Sequence, residues 1–334
     1  MTLNLRARSP EDLIAAVPIV LGFTPHESVV MLGLAGERPY HCRIDLPPPT
    51  AVEEWVEALL APACRHGLEV VAFVVFTADA GLARRAAAPL SRAFEGAGVR
   101  VAEVLRCHER RWYAPLGIAG VPDHGVPFDP DAHAFRAEAT VAGMVVEPSR
   151  EALAARLAAD RWASETVAAE LATLLDDERE ARTTPDSPVA GFRVALGGDE
   201  LAGLLDHHAV SGTVPDDHDA ARLLWSTRLV PLRDRAWHGL SRHDAELHVP
   251  LWSDLVRRAP EGTVAGAASV LAMLAWRSGN GALAWCALDC CFEEDPDHSL
   301  GVVVSGLLQH AVAPDDDWLA VQRLEVIAAE KRAG

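Results

Sequence analysis

The polar residues best placed for chemistry stand at the ends of predicted strands in the first part of the chain. Thr77 and Asp79 come at the end of, and directly after, the strongest predicted strand, residues 70–77. In an open α/β sheet, ligands gather beyond the carboxyl ends of the strands. Such side chains could bind a small ligand there or serve a hydrolase-type enzyme. The candidate catalytic residues are Asp45, Thr77, Asp79 and His108, with His26 and Glu27 before the first strand.

The same residues also fit a structural role, and this interpretation is favoured. Aspartate and threonine are common in turns and at the first residue of helices, where they hydrogen-bond to the backbone. The chain contains no G-x-S-x-G elbow, no Gly-Lys-Ser/Thr phosphate loop and no G-x-G-x-x-G fingerprint. The sequence therefore indicates no particular reaction.

Two groups of residues could be read as metal ligands. Cys286 and Cys290 are four residues apart on a predicted helix, with His298 downstream. A zinc site needs three or four converging ligands, so small buried thiols are favoured here. Residues 207–219 are rich in histidine and aspartate, but a turn through Pro215 with Asp216 or Asp217 as the cap of the next helix is the better explanation. We predict no metal and no cofactor.

The composition limits the class of protein. The 334 residues include 30 lysines and arginines against 48 aspartates and glutamates, which gives 30 − 48 = −18. A surface this acidic repels phosphate backbones and anionic lipid, so neither nucleic acid nor a membrane is expected as a partner. The N-terminus shows no secretory signal and no apolar run is long enough for a membrane span. A cytoplasmic location is expected, and the oligomeric state is not indicated.

The first part of the chain reads as an α/β domain over residues 1–145. The predicted elements alternate in the order β-β-α-β-α-β-β, after a first short helix. Residues 70–77 are apolar on both faces, which is typical of a central strand covered by helices. We therefore predict a mixed sheet with flanking helices.

The rest of the chain, residues 146–334, reads as an all-α domain. A charged stretch interrupted by proline, residues 176–190, is the expected loop or linker. Helices are predicted over 219–240, 264–278, 281–294 and 318–331, among others.

The helices over 264–278 and 281–294 form a predicted αα-hairpin of the tetratricopeptide kind. Gly279 and Gly281 supply the turn, and Ala284 and Cys291 are small residues where the two helices would cross. One clear unit and a partial second are too few for a free-standing solenoid. A concave peptide-binding face and a plain helical bundle both remain open.

Tryptophans and an arginine in the helical domain are the candidate partner-binding residues. Trp252, Trp276 and Trp285 could line a wide apolar groove, an idea that requires them to be exposed. Arg233 and Trp237 are four residues apart and could form an interface anchor or a structural pair. The leading hypothesis is a non-catalytic scaffold that binds a protein or peptide. The alternative is the ligand site or enzyme at the strand ends.

Several motifs together resemble a known family. They are LIAAVPIVLGFTPHESVVMLGL at 13–34, RIDLP at 43–47, LRDRAW at 232–237, PLW at 250–252, and the hairpin with AW at 275–276 and DP at 295–296. In these the chain resembles the actinobacterial family catalogued as domain of unknown function 4192. The chain departs from the family pattern at 116–126, where many members carry cysteines. The resemblance implies an actinobacterial origin and supplies no activity.

Overall fold

The structure divides the chain into two compact units. It is a computed structural model that describes residues 5–37, 40–46, 52–118, 120–184, 187–189 and 191–314. The division falls between Ala152 and Leu153. Unit 1 contains a sheet with flanking helices, and unit 2 consists of helices in its described residues. The predicted fold class is therefore confirmed.

Unit 1 is built on a mixed six-stranded sheet. The strands are β1 (Ser28–Gly36), β2 (His41–Asp45), β3 (Leu68–Phe76), β4 (Arg100–His108), β5 (Arg111–Tyr113) and β6 (Val126–Pro127). They lie in the order β2-β1-β3-β4-β5-β6. Only β3 and β4 are parallel, while β1 pairs with both β2 and β3 in the antiparallel sense.

Helices cover both faces of this sheet. They are α1 (Pro10–Leu21), α2 (Val52–Arg65), α3 (Ala80–Gly96) and α4 (Ala134–Val141). A short helix, α5 (Arg150–Ala155), follows, and the division between the units falls within it. Helix α3 makes the crossover that a parallel β3–β4 pair requires. It begins after Asp79, whose side chain accepts a hydrogen bond from the backbone N–H of Leu82 at 2.8 Å.

Alternate residues of β3 belong to two separate apolar cores. Phe73 packs with α2 and α3, where its ring meets that of Phe94 edge to face at 4.9 Å between centroids. Val74 and Phe76 point to the other face and pack with α1 and α4. Because both faces are covered, β3 can be apolar along its length. This is the central strand that the sequence predicts.

The pairing of the strands brings distant residues to one edge of the sheet. Strands β3 and β4 run in parallel, so Phe76 and Cys107 lie side by side at their carboxyl ends. Strand β1 is antiparallel to β3, and its first residue Ser28 is opposite Phe76. The segment before β1 and the segments after β3 and β4 therefore meet at this edge.

Unit 2 contains eight helices in its described residues beyond α5. They are α6 (Arg161–Thr183), α7 (Gly198–Ser211), α8 (Asp217–Ser226), α9 (Val230–Arg235), α10 (Arg242–Arg258), α11 (Val264–Ser278), α12 (Gly281–Glu294) and α13 (Ser299–Gln309). None of the described helices is long and apolar enough to cross a membrane. The helix predicted over 318–331 lies outside the described residues.

Two predicted boundaries in unit 2 need correction. Helix α6 continues to Thr183, so the first part of the expected loop 176–190 is helical. Its charged side chains pair along the helix surface, as Arg182 does with Glu178 at 2.7 Å, which suits a solvated helix. The helix predicted over 219–240 is divided into α8 and α9. Pro231, in the first turn of α9, has no N–H to continue the preceding helix.

The αα-hairpin of α11 and α12 is present with the predicted bounds. Gly279 adopts a left-handed conformation, φ 89°, which ends α11. The side chain of Asn280 then accepts a hydrogen bond from the N–H of Leu283 and caps α12. Ala284 and Cys291 are buried at the positions expected for small residues. Membership of the tetratricopeptide kind stays a prediction.

Candidate functional site

A cavity of about 320 Å³ opens in unit 1 at the carboxyl ends of β3 and β4. One wall is a single face of α1, because Ile14 and Pro18, and Ala15 and Ile19, recur at a spacing of four residues. Phe76, the last residue of β3, and Phe128, which follows β6, complete this wall. The cavity is therefore on the sheet face covered by α1.

The polar part of the cavity unites four residues that the sequence singles out. Thr77 and His108 follow β3 and β4, while His26 and Glu27 precede β1, and all four line the cavity. Glu27 and Thr77 are 50 positions apart in the chain and hydrogen-bonded. The rule that ligands gather at the carboxyl ends of strands thus led to residues that share a cavity.

A hydrogen-bonded cluster fixes the end of β3. The Thr77 hydroxyl donates to Glu27 Oε2 at 2.9 Å and accepts from the N–H of Asp79 at 3.1 Å. Arg106 donates from Nη1 to the Thr77 carbonyl at 3.2 Å. Its guanidinium is buried and stacks 3.6 Å from the ring centroid of Tyr113. Arg106 and the backbone N–H of Asp79 therefore hold Thr77 in place at the polar side of the cavity.

Backbone strain is concentrated at the same cavity. Of the four described non-glycine residues with positive φ, three line it, namely Glu27 (φ 38°), Glu109 (φ 47°) and Arg110 (φ 58°). Glu109 and Arg110 form the two-residue loop between β4 and β5, where glycine and asparagine are the usual residues. Residues held in this conformation cost about 1–2 kcal/mol each. Strain of this kind clusters at ligand sites.

The charged side chains of the cavity differ in their pairing. Arg110 pairs with Asp129 and, at 3.3 Å, with Asp131. His108 Nε2 lies 3.6 Å from a carboxylate oxygen of Glu109. Arg136 in α4 also lines the cavity, and within the described residues its guanidinium has no hydrogen-bond or ion-pair partner.

The thiol in the cavity is a poor nucleophile. Burial raises the pKa of Cys107 to about 11, although the nearby Arg106 opposes the shift. Near neutral pH this side chain is therefore the thiol, whereas the thiolate is the reactive form. Cys107 therefore contributes to the wall of the cavity as a thiol.

Asp45 and Asp79, the other two candidate residues, do not line the cavity. Asp45 ends the edge strand β2, and it is exposed and paired with Arg43 at 2.6 Å. Asp79 caps α3, and the hydrogen bond from the Leu82 N–H is the main cause that lowers its pKa. Asp79 therefore performs the cap role that was the alternative for it, while Asp45 pairs with a neighbour on its own strand away from the cavity.

Most of the candidate partner-binding residues in unit 2 are buried. Trp252 is 0% exposed and Trp276 is 5% exposed. Trp237 and Arg233 are also buried, and Trp285 is half-buried. Side chains packed into the interior cannot line an open groove. The expected groove of Trp252, Trp276 and Trp285 is therefore absent from the described surface.

The contacts of two of these side chains explain their burial. Arg233 pairs with Asp234 at 2.8 Å and donates to the hydroxyl of Ser299 at 3.0 Å. Trp276 Nε1 donates to the carbonyl of Val312 at 3.2 Å. Both side chains therefore connect helices and turns within unit 2. This is the structural alternative to an interface anchor.

The described residues contain no group of three or more histidines, cysteines, aspartates or glutamates that could hold a metal. Cys286 and Cys291 are buried, and burial raises the pKa of Cys291 to about 12. Asp216 accepts from the N–H of Asp219 at 2.9 Å and caps α8, as expected.

Sequence reasoning missed two contributors to the cavity. The α1 wall was recognisable as an apolar helix, but no local signal assigns it to a ligand cavity. Arg136 lies far along the chain from β3 and β4, and only the packing of α4 beside α1 brings it to the cavity.

The comparisons with known proteins agree with the motif resemblance. No curated protein and no solved structure gave a match. The model of one family, described as Domain of unknown function (DUF4192), matches residues 10–315. This match covers most of each unit and includes all of the cavity residues. The chain therefore belongs to the DUF4192 family.

Proposed function

We propose that the protein binds a small ligand in the cavity of unit 1. The observation that carries this proposal is the convergence of His26, Glu27, Thr77 and His108 on one cavity at the carboxyl ends of β3 and β4. Ligand sites of open α/β sheets occupy this position. Such sites also combine apolar walls with a few polar groups, as α1 and the strand ends do here.

The strained backbone adds independent support. Asparagine and glycine would adopt the loop conformation of Glu109 and Arg110 with less backbone strain. Residues that occupy a strained backbone conformation are often found at ligand-binding and active sites. Both residues line the cavity. The proposal includes the predicted cytoplasmic location, where the six cysteines, all free thiols, would stay reduced.

The scaffold hypothesis has less support. Its named residues Trp252 and Trp276 are buried, so a protein or peptide partner would have to use other parts of the surface. We therefore rank ligand binding first.

The test is a fragment screen by saturation-transfer NMR on the full chain. Ala15→Phe fills the cavity from α1, and Thr24→Phe fills it from the rim if the first variant does not fold. Ala137→Phe, on the exposed side of α4, is the matched control. We expect fragments that contact the wild type and the control but not the filled variants. Fragment binding that is unchanged by both filled variants would refute the proposal.

A further inference from the structure

Arg136 is the charged side chain of the cavity without a partner. It projects from α4, lines the cavity and is half-buried. Within the described residues it makes no hydrogen bond or ion pair through its side chain. A guanidinium that has lost part of its water without gaining a counter-ion is unfavourable. An anion in the cavity would supply the missing interaction.

The other charged groups of the cavity are already engaged. Arg110 is shared between Asp129 and Asp131. The carboxylate of Glu27 accepts from the hydroxyl of Thr77 at 2.9 Å and from a backbone N–H. Arg136 is therefore the cation that remains available to a ligand.

The charges around the cavity indicate what kind of anion fits. Its lining contains two arginines and three carboxylates, of Glu27, Glu109 and Asp131, and these five charges sum to 2 − 3 = −1. A ligand with two negative charges would be repelled more than a ligand with one. A carboxylate carries one charge, whereas a phosphate monoester approaches two at neutral pH. The guanidinium also matches a carboxylate with two parallel hydrogen bonds.

The rest of the cavity suits an apolar body of modest size. The α1 face, with Ile14, Pro18 and Ile19, offers no charged group, and Phe76 and Phe128 lie beside it. The volume of about 320 Å³ is near the lower end for ligand cavities, roughly 300–1,000 Å³. We infer that the ligand is a short carboxylic acid with an apolar chain or ring. Its carboxylate pairs with Arg136 and its body packs on α1. This inference rests on the proposed function.

The test compares hexanoate with hexan-1-ol, which share the same apolar chain, by isothermal titration calorimetry of the full-length protein. We expect Arg136→Gln to weaken hexanoate binding by roughly tenfold to a hundredfold, the value of a hydrogen bond to a charged group. Hexan-1-ol binding should not change. Arg100→Gln removes the same charge at the exposed opposite end of β4 and should leave both ligands unaffected.

The possible outcomes separate the inference from the proposed function. Equal binding of hexanoate to the wild type and to Arg136→Gln would overturn the inference, while loss of hexan-1-ol binding in Ala15→Phe would still support a ligand cavity. Tighter binding of hexyl phosphate than of hexanoate would overturn the assignment of a single negative charge. Failure of both hexyl ligands and of every fragment would remove both proposals. If Arg136→Gln does not fold, Arg136→Lys replaces it, because it keeps the charge but loses the two-pronged geometry.

Discussion

The strain in the loop between β4 and β5 can be measured by a pair of substitutions at one residue. Arg110 has a φ of 58°, and its carbonyl accepts a hydrogen bond from the N–H of Phe128 at 2.8 Å. Arg110→Gly and Arg110→Ala both remove the guanidinium and keep that carbonyl. They differ because alanine retains the left-handed strain and glycine does not.

The expected difference follows from two opposing effects. Relief of the left-handed conformation favours glycine by about 1–2 kcal/mol. The greater freedom of glycine in the unfolded chain offsets about 0.4–1 kcal/mol of this gain. The glycine variant should therefore be more stable than the alanine variant by about 1 kcal/mol. For a unit of this size, the melting temperature should differ by about 2–4 °C.

Differential scanning calorimetry of the wild type and both variants measures this difference in the transition of unit 1. The ion pairs of Arg110 with Asp129 and Asp131 are well exposed, so their loss should matter little and equally in both variants. An alanine variant as stable as the glycine variant, or more stable, would refute the argument that the loop is strained.

Three further outcomes are expected. Thr77→Val should lower the free energy of unfolding by about 1–3 kcal/mol in urea titrations, because it removes both hydrogen bonds of the buried Thr77 hydroxyl, whereas Thr77→Ser should be milder. Gly266→Ala would place a Cβ too close to Thr227 Oγ1 and should destabilise unit 2 by about 1–3 kcal/mol. Gly203→Ala is the control: its Cβ would enter open space on α7, and the higher helix propensity of alanine should stabilise unit 2 by about 0.5–1 kcal/mol. Burial lowers the pKa of His248 below its unfolded value of 6.5, so the unfolded state binds more protons there and stability should fall as the pH drops below 6.5. The pH dependence of the urea midpoint should flatten in His248→Gln, and an unchanged slope would contradict this assignment.

The layers of unit 1 could be predicted because its sequence patterns are local. The uninterrupted apolar run of β3 indicates a strand covered on both faces, and it has apolar cores on both. The hairpin of α11 and α12 was equally accessible, since its turn and cap are local: Gly279 adopts a left-handed backbone conformation, and the Asn280 side chain caps α12.

The candidate site was only partly predictable because its members belong to different elements. Thr77 and His108 follow parallel strands, so a general rule identified them. Asp45 failed that rule because β2 is separated from β3 by β1. Asp79 failed because the first turn of α3 uses its carboxylate. Both reasons depend on strand order and helix start, which no single residue type reveals.

Most residues of unit 2 that were predicted to bind a partner at the surface are instead buried by the packing of the helices. Trp252 and Arg233 are in helices whose neighbours cover them, although tryptophan and arginine are also the residues that interfaces favour. The sequence contains the same residue types in either case. Only the arrangement of the helices distinguishes an interior tryptophan from an exposed one.

The contact between Glu27 and Thr77 also has a kinetic consequence. These residues are separated by 50 positions, and β1 must pair with β3 before they can meet. Contacts across so long a loop form late, whereas the β1–β2 and β4–β5 hairpins close over short loops. The arrangement of the proposed ligand site should therefore form with the slowest folding phase of unit 1. A chain that has formed its hairpins but not its central sheet would lack the contact between Glu27 and Thr77.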